Sequence, residues 1–453
     1  MEKKNIIRIF AFFVLAGLLL SITACNNNNV DKNKGKMSNA KDFLFLTPDQ
    51  QPDAYRNIDK LFSTRTFKRG KSVFPLPPSD QPLTSVKYSP DGVNTYDIDD
   101  FVKRNRVSGL LIIKDGKIAL ERYALGNTDS SRWTSFSVAK SFTSTLIGMA
   151  VKDGKIKSLD DLVTDYLPQM RGTSYDGVTV GQLMTMSSGV KWNEDYRDSA
   201  SSLTALFKCP LEGKKGGMIE VMSKLPRAAA PGTKFLYSTG ETCLEGEVLT
   251  AALKGESMSA YLSRKLWARM GMESDGYWLL ESPDGHEFAG GNLSMTLRDY
   301  GRFGMFILHN GVVDGDSLLP SGWVSQISRP PSNAPQLAYG KLYSAMNSPE
   351  QPYYYPFGYS YNWWCMDQSP WGAWDALDNT TVWGADAIKA PKEKFTNLQG
   401  TFSAIGIFGQ YIHVNQKENM VTVIWSAWKD PNLDPKEYEA MCFLNAATGY
   451  LHK

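Results

Sequence analysis

Ser137 and Lys140 close the tetrad Ser-Val-Ala-Lys at the head of a long apolar run, a pairing suited to a serine nucleophile with a lysine base. Residues three apart share a helix face, so the Lys140 ammonium can reach back one turn to the Ser137 hydroxyl. The run SFTSTLIGMAV at 141–151 carries Phe142, Leu146, Ile147, Met149, Ala150 and Val151, which would seat a helix in a core, and Gly154 could end it. Lys140 would then be poorly solvated. Desolvation disfavours the ammonium and lowers its pKa, which makes a lysine a proton acceptor near neutral pH. The N–H groups of the helix start favour an oxyanion developing at Ser137.

The tetrad alone proves little, because Ser-x-x-Lys recurs at 38–41, 188–191 and 426–429. Ser38 lies in a polar leader, Ser188 precedes Gly189 at a loop, and Ser426 ends the strand-like run VTVIW. Of the four, Ser137 alone begins an amphipathic helix. Its bland reading is an N-cap, with Lys140 a solvated helix charge.

Two further stretches could join it. In PGTKFLYST at 231–239 the Pro-Gly turn and the polar break after Leu236 place Tyr237 on a loop before a helix beginning near Glu241. If Tyr237 faces Ser137 and Lys140, a cationic neighbour favours its phenolate and makes it a proton shuttle to the leaving group; otherwise it is a packed tyrosine with a bonded hydroxyl. In AIGIFGQ at 404–410, glycines inside a strand mark either close approach of another backbone or a relieved bend. An edge strand there could give a second oxyanion donor beside the Ser137 N–H.

The elements that must position these residues are partly readable. Residues 43–90, with PLPPSDQPL, suggest an extended segment wrapping the surface. GLLII at 109–113, Asp115-Gly116 and KIALERY at 117–123 predict a hairpin that feeds the Ser137 helix. From about 155 to 290 helical spacing dominates, over 180–186, 218–225, 241–253 and 258–270, with more helix at 299–309 and 321–327. Strand character returns at 358–364, 401–408, 410–415 and 420–425. Strands at both ends with helices between predict one sheet built from distant parts of the chain.

In this order the three motifs resemble those of the serine β-lactamase and penicillin-binding-protein superfamily: Ser-x-x-Lys, a Tyr- or Ser-x-Asn loop, and a Lys-Thr-Gly strand. The text is closer to the class C-like branch of 6-aminohexanoate-oligomer hydrolases and bacterial esterases. The similar stretches are SFSVAKSFTSTLIGMAVKDGKI (135–156), TVGQLMTMSSGVKWNEDY (179–196), PGTKFLYST (231–239), AGGNLSMTLRDYGRFG (289–304), GYSYNWW (358–364) and GIFGQYIHVN (406–415). The resemblance implies an α/β (α+β) fold, an antiparallel sheet flanked by helices, with a mainly helical subdomain inserted between its N- and C-terminal parts. It implies Ser137 as acylated nucleophile, Lys140 as general base and Tyr237 as second base and acid. Tyr196 resembles a substrate-facing tyrosine, Asn292 would face the cleft, and Ala404, Ile405 and Gly406 occupy the Lys-Thr-Gly place. The N–H groups of Ser137 and Ile407 would form the oxyanion hole.

Two departures bear on substrate. Thr239 stands where the loop often has Asn, and Ala404 where penicillin-recognising members keep a lysine. A cation there would bind a substrate carboxylate through a charge-assisted contact. Without it the expectation is a neutral ester or amide, with a β-lactam or a D-amino-acid peptide as the alternative. The rivals are a Ser-His-Asp esterase and a non-catalytic cell-wall binding module. The four histidines, His286, His309, His413 and His452, are scattered and no Gly-x-Ser-x-Gly elbow is present.

Lys3, Lys4 and Arg8 precede the apolar run 9–22, and Thr23, Ala24 and Cys25 follow it, a signal architecture whose ending resembles a bacterial lipobox. The expected organisation is a signal at 1–24, a lipidated Cys25 opening a flexible tether at 25–42, and a hydrolase domain at 43–453. Each buried methylene of an acyl chain contributes roughly 0.8 kcal/mol, so two or three chains would anchor the protein stably. It would sit on the cell envelope, facing the periplasm or exterior. In 453 residues with net charge +2, dispersed Lys and Arg argue against a nucleic-acid partner. The other cysteines, Cys209, Cys243, Cys365 and Cys442, lack metal spacing and predict mostly structural thiols, with one disulfide possible. No metal or cofactor is expected.

Overall fold

The structure, a computed structural model, describes residues 43–44, 46–196, 198–329, 358–366, 395–431 and 434–452. The expected signal, tether and Cys25 lie outside these residues, as do Ser38 and Lys41. Among the described residues no helix is long and apolar enough to cross a membrane.

The hairpin forms as β2 (Val107–Lys114) and β3 (Lys117–Tyr123). Its turn residues Asp115 and Gly116 both take left-handed backbone, φ 52° and 75°, the twist that a two-residue hairpin loop requires. The late strands are β9 (Gly358–Ser360), β10 (Trp363–Cys365), β11 (Phe402–Gly406), β12 (Gln410–Asn415) and β13 (Met420–Ser426). With the hairpin they build one seven-stranded sheet in the order β3-β2-β13-β12-β11-β10-β9. Every neighbour is antiparallel. The pairing of Gly109 with Trp425 and Ile113 with Val421 joins the two ends of the chain. Every residue of β13 is buried, so the centre of the sheet is covered on both faces.

A second sheet escaped the sequence reading. It consists of β1 (Thr64–Phe67), β4 (Trp133–Thr134), β5 (Gly276–Leu279) and β6 (Leu293–Met295), in the order β1-β5-β6-β4. A two-residue hairpin, β7 (Val312–Val313) with β8 (Asp316–Ser317), stands apart. Strands of two to four residues show no alternation to detect. Because β5 falls at 276–279, the 155–290 stretch is helical with a strand inside it. The predicted 258–270 helix is likewise shorter: Met258–Leu262 gives way to a wider-wound turn, Ser263–Trp267. The 43–90 segment is not wholly extended, since Gln51–Arg56 and Ile58–Leu61 are helical.

Three helices position the site. Helix α1 (Val138–Lys152) is buried over 138–150, and Gly154 follows it with φ 66°. Helix α2 (Thr239–Ala252) packs against α1, capped by Ser238, whose hydroxyl accepts from the Glu241 N–H at 3.1 Å. Helix α3 (Leu297–Leu308) lies on the large sheet, where Gly301 and Gly304 let it approach: side chains there would come within 2.7 Å of Leu111 and 2.5 Å of Val421. Phe142 on α1 stacks on Phe303 of α3 at 3.6 Å between centroids. Burying such a ring contributes about 2–3 kcal/mol, which pins the start of α1. Cys209, Cys243, Cys365 and Cys442 are buried cysteines, and the possible disulfide does not form among them.

Candidate active site

Ser137 is presented by a strand, an elbow and a helix in immediate succession. β4 pairs with β6, and the register is carried on by the Ser135 N–H to the Leu293 carbonyl at 2.7 Å and the Leu293 N–H to Ser135 Oγ at 3.0 Å. Phe136 then takes a left-handed backbone, φ 44°, which is uncommon for a bulky residue. Its ring is locked between Tyr55 and Phe408, at 5.0 and 5.2 Å. Ser137 follows as the N-cap residue, but its hydroxyl makes no cap bond. From Trp133 to Ala150 it is the one residue that is not buried. A partly exposed serine amid buried neighbours is open to a substrate.

Lys140 Nζ donates to Ser137 Oγ at 2.9 Å, to Thr239 Oγ1 at 3.0 Å and to the Gly290 carbonyl at 2.7 Å. Its side chain is 1% exposed, and burial pushes its pKa down to about 8, opposed by Glu194, Cys243 and Glu245. The solvated-charge reading of Lys140 therefore fails. Lys191 and Lys429, in the two other described tetrads, are exposed.

Tyr237 is buried, hydrogen-bonded to Ser137, and its ring centre is 5.1 Å from Lys140 Nζ. The expected phenolate is not favoured. Burial and the charge of Glu194 push this phenol well above its ordinary pKa, opposed only by its hydrogen bond with Ser137. Tyr237 is thus a neutral phenol with a proton to give. Trp364 of β10 stacks on it at 5.5 Å, and Tyr359 of β9 meets it edge-on at 5.9 Å.

Gly406 ends β11 against the backbone of Ser137. A side chain on Gly406 would come within 2.5 Å of the Ser135 carbonyl oxygen and 3.1 Å of the Ser137 nitrogen. This bears out close approach over a relieved bend and sets Ile407 just beyond Ser137. Among the described residues, no backbone carbonyl of the turns, loops and caps takes up the N–H of Ser137 or Ile407. Ala404 is fully buried on the same strand.

Glu194 was missed. It is fully buried and accepts from the Thr239 N–H at 3.0 Å, the Thr239 hydroxyl, the Trp192 indole N–H, and the Tyr196 hydroxyl at 3.4 Å. Burial raises its pKa on balance, only partly offset by Lys140 and the bonds from Thr239 and Trp192. The available signal was WNEDY at 192–196, an acid flanked two residues away on each side by an aromatic donor. Tyr196 therefore reaches the site through Glu194. Asn292 is buried with φ 58°, and its amide nitrogen reaches Thr134 Oγ1 at 3.3 Å. From that segment it is the Gly290 carbonyl that touches Lys140. His413 is buried against Ser403 at 2.9 Å and held neutral, its pKa lowered by burial to about 3, so its ring bonds Ser403 rather than Ser137.

The chain matches the family described as Beta-lactamase over residues 97–441. It is 25% identical over 388 residues to the 6-aminohexanoate-dimer hydrolase of Paenarthrobacter ureafaciens, covering 84% of this chain and 86% of that protein. In fold it is similar to a Bacillus anthracis structure provisionally described as a 6-aminohexanoate-dimer hydrolase, with TM-score 0.69, 20% identity, and 88% and 93% of the two chains covered. A class C beta lactamase from Rhodobacter sphaeroides is also similar, with TM-score 0.51, 15% identity, and 78% and 97% covered.

Proposed function

The chain belongs to the beta-lactamase family and is a serine hydrolase, and from that premise we propose that it cleaves neutral carboxylic esters or amides through an acyl-enzyme on Ser137. The observation that carries this reading is the meeting of Ser137 Oγ with Lys140 Nζ at 2.9 Å, where the lysine is buried and its pKa lowered to about 8. Neutral Lys140 takes the Ser137 proton as Oγ attacks the carbonyl carbon. The N–H groups of Ser137 and Ile407 receive the oxyanion, where fixed donors stabilise charge without reorganising. Tyr237, a neutral phenol bonded to Ser137, gives its proton to the leaving alcohol or amine and regains one from Lys140. Water enters by the reverse proton path and releases the acid.

Ala404 supports the substrate class, because its methyl offers nothing to a substrate carboxylate, and the name of the Paenarthrobacter relative is that of an amide hydrolase. A panel of a p-nitrophenyl ester, a linear amide and a chromogenic cephalosporin checks it. The expected kcat/KM for the ester or amide exceeds that for the cephalosporin by at least ~10-fold. Faster cephalosporin turnover would make the protein a β-lactamase instead, and saturable cell-wall-fragment binding with no turnover of any of the three would make it a binding module.

The same proposal places the protein on the cell envelope through lipid on Cys25, from the signal-like residues before it. Cys25→Ser should move the protein from the membrane pellet to the soluble fraction after cell lysis. Retention in the pellet, with an unmodified Cys25 in the native protein, would overturn the anchor.

A further inference from the structure

The donors and acceptors around Lys140 can be counted, and the count has a direction. The Gly290 carbonyl can only accept. Thr239 Oγ1 can do either, so its role depends on where its own hydrogen goes. That hydrogen has a destination in Glu194 Oε1, and the other carboxylate oxygen already accepts two N–H groups that cannot reverse, from Thr239 and Trp192. An ionised Glu194 therefore makes Thr239 an acceptor toward Lys140. Two of the lysine hydrogens are then committed, to Gly290 and to Thr239, at 2.7 and 3.0 Å. When Lys140 is neutral it has two hydrogens and one lone pair, and the remaining direction points to Ser137 Oγ, 2.9 Å away.

We propose that Glu194 is a positioning residue which, by holding the Thr239 hydroxyl as an acceptor, turns the lone pair of neutral Lys140 onto the Ser137 proton. The inference rests on the reading of Ser137 and Lys140 as nucleophile and base. Protonating Glu194 reverses the chain: its O–H donates to Thr239, the Thr239 hydroxyl turns toward Lys140, and the lone pair is occupied before Ser137 can use it. A side-chain amide at 239 would present an oxygen that can only accept and would need no carboxylate behind it. Thr239 and Glu194 thus form one unit. The groups facing Lys140 are Glu194 from its loop, Tyr237 from the segment before α2, Cys243 and Glu245 from α2, and Ser137 at the N-cap of α1. Glu194 itself faces Lys140, Tyr196, Tyr237, Tyr359 of β9, Trp192 and Thr239.

The test is the pH dependence of the rate at which a fluorophosphonate labels the wild type, Glu194→Gln, Thr239→Asn and the double variant. Glu194→Gln should lower the high-pH plateau by ~30-fold, within the range of a lost proton-transfer alignment. It should also move the acid limb to lower pH, because the anion that favours the ammonium is gone. In the Thr239→Asn background the same change should cost no more than ~3-fold, a coupling that a merely structural glutamate would not show. Should Glu194→Gln fail to fold, Thr239→Val keeps the carboxylate, removes the acceptor and should lower the plateau by a similar factor. An unchanged plateau in Glu194→Gln, or in Thr239→Val where that variant stands in, overturns the proposal, as do equal losses from Glu194→Gln in both backgrounds. Ser137→Ala separates the two levels of inference: if it labels as fast as wild type, the nucleophile reading itself has failed.

Discussion

Ser137→Ala should lower ester turnover by at least ~10⁴-fold while the protein melts within a few degrees of the wild type. The two halves of this expectation come from one observation. The Ser137 hydroxyl caps no helix N–H; its bonds are to Lys140 and Tyr237. Removing it takes away the attacking atom and leaves the packing of α1, which rests on Phe142 against Phe303 and on a fully buried apolar face. Steady-state kinetics on a p-nitrophenyl ester and a thermal melt check both halves. Turnover within tenfold of wild type would mean that another group attacks the carbonyl.

Lys140→Met should lower turnover by ~10³-fold or more, and the wild-type rate should rise with pH to a plateau with a midpoint near 8. The same shift affects stability, with a definite sign. The lysine pKa falls from 10.5 to about 8 on burial, so between those values the unfolded chain holds a proton that the folded chain has lost. Stability from this group therefore rises as pH rises through that window, and below it the buried ammonium costs on the order of 3 kcal/mol. Methionine removes the titration. Any stability advantage of Lys140→Met over the wild type should accordingly shrink between pH 7 and pH 10, as read from paired melts. Parallel melting curves across that range, or a rate midpoint below 6, would contradict a lysine base of this kind.

What the sequence disclosed follows from where its signals are strong. Ser137, Lys140, Tyr237 and Gly406 announced themselves because each sits at a boundary between patterns: the head of an apolar helix, a polar break before a helix, a glycine inside a strand. Most of the seven-stranded sheet was readable from apolar strand-like runs and the Asp115-Gly116 turn, although 358–364 reads as one strand and forms two. The small sheet was not, because Trp133–Thr134 and Leu293–Met295 are too short for a period to register, yet they aim Ser137. Side-chain direction was equally hidden. That the amide nitrogen of Asn292, beside two glycines, reaches Thr134 is not written in any spacing. The state of Tyr237 depended on burial and on a charge that no spacing encodes: Glu194, 43 positions earlier, became its neighbour through folding. Glu194 itself drew no reading in the sequence, and its burial in the fold makes it the acceptor for Thr239.

The most direct measurement is intact-protein mass spectrometry after brief exposure to an activated ester, followed by peptide mapping of the adduct. A single acyl group should appear on the peptide containing Ser137, decay as product forms, and be missing from Ser137→Ala. Turnover of the ester with no trappable adduct at any time point, or an adduct that maps to another residue and persists in Ser137→Ala, would contradict an acyl-enzyme on Ser137.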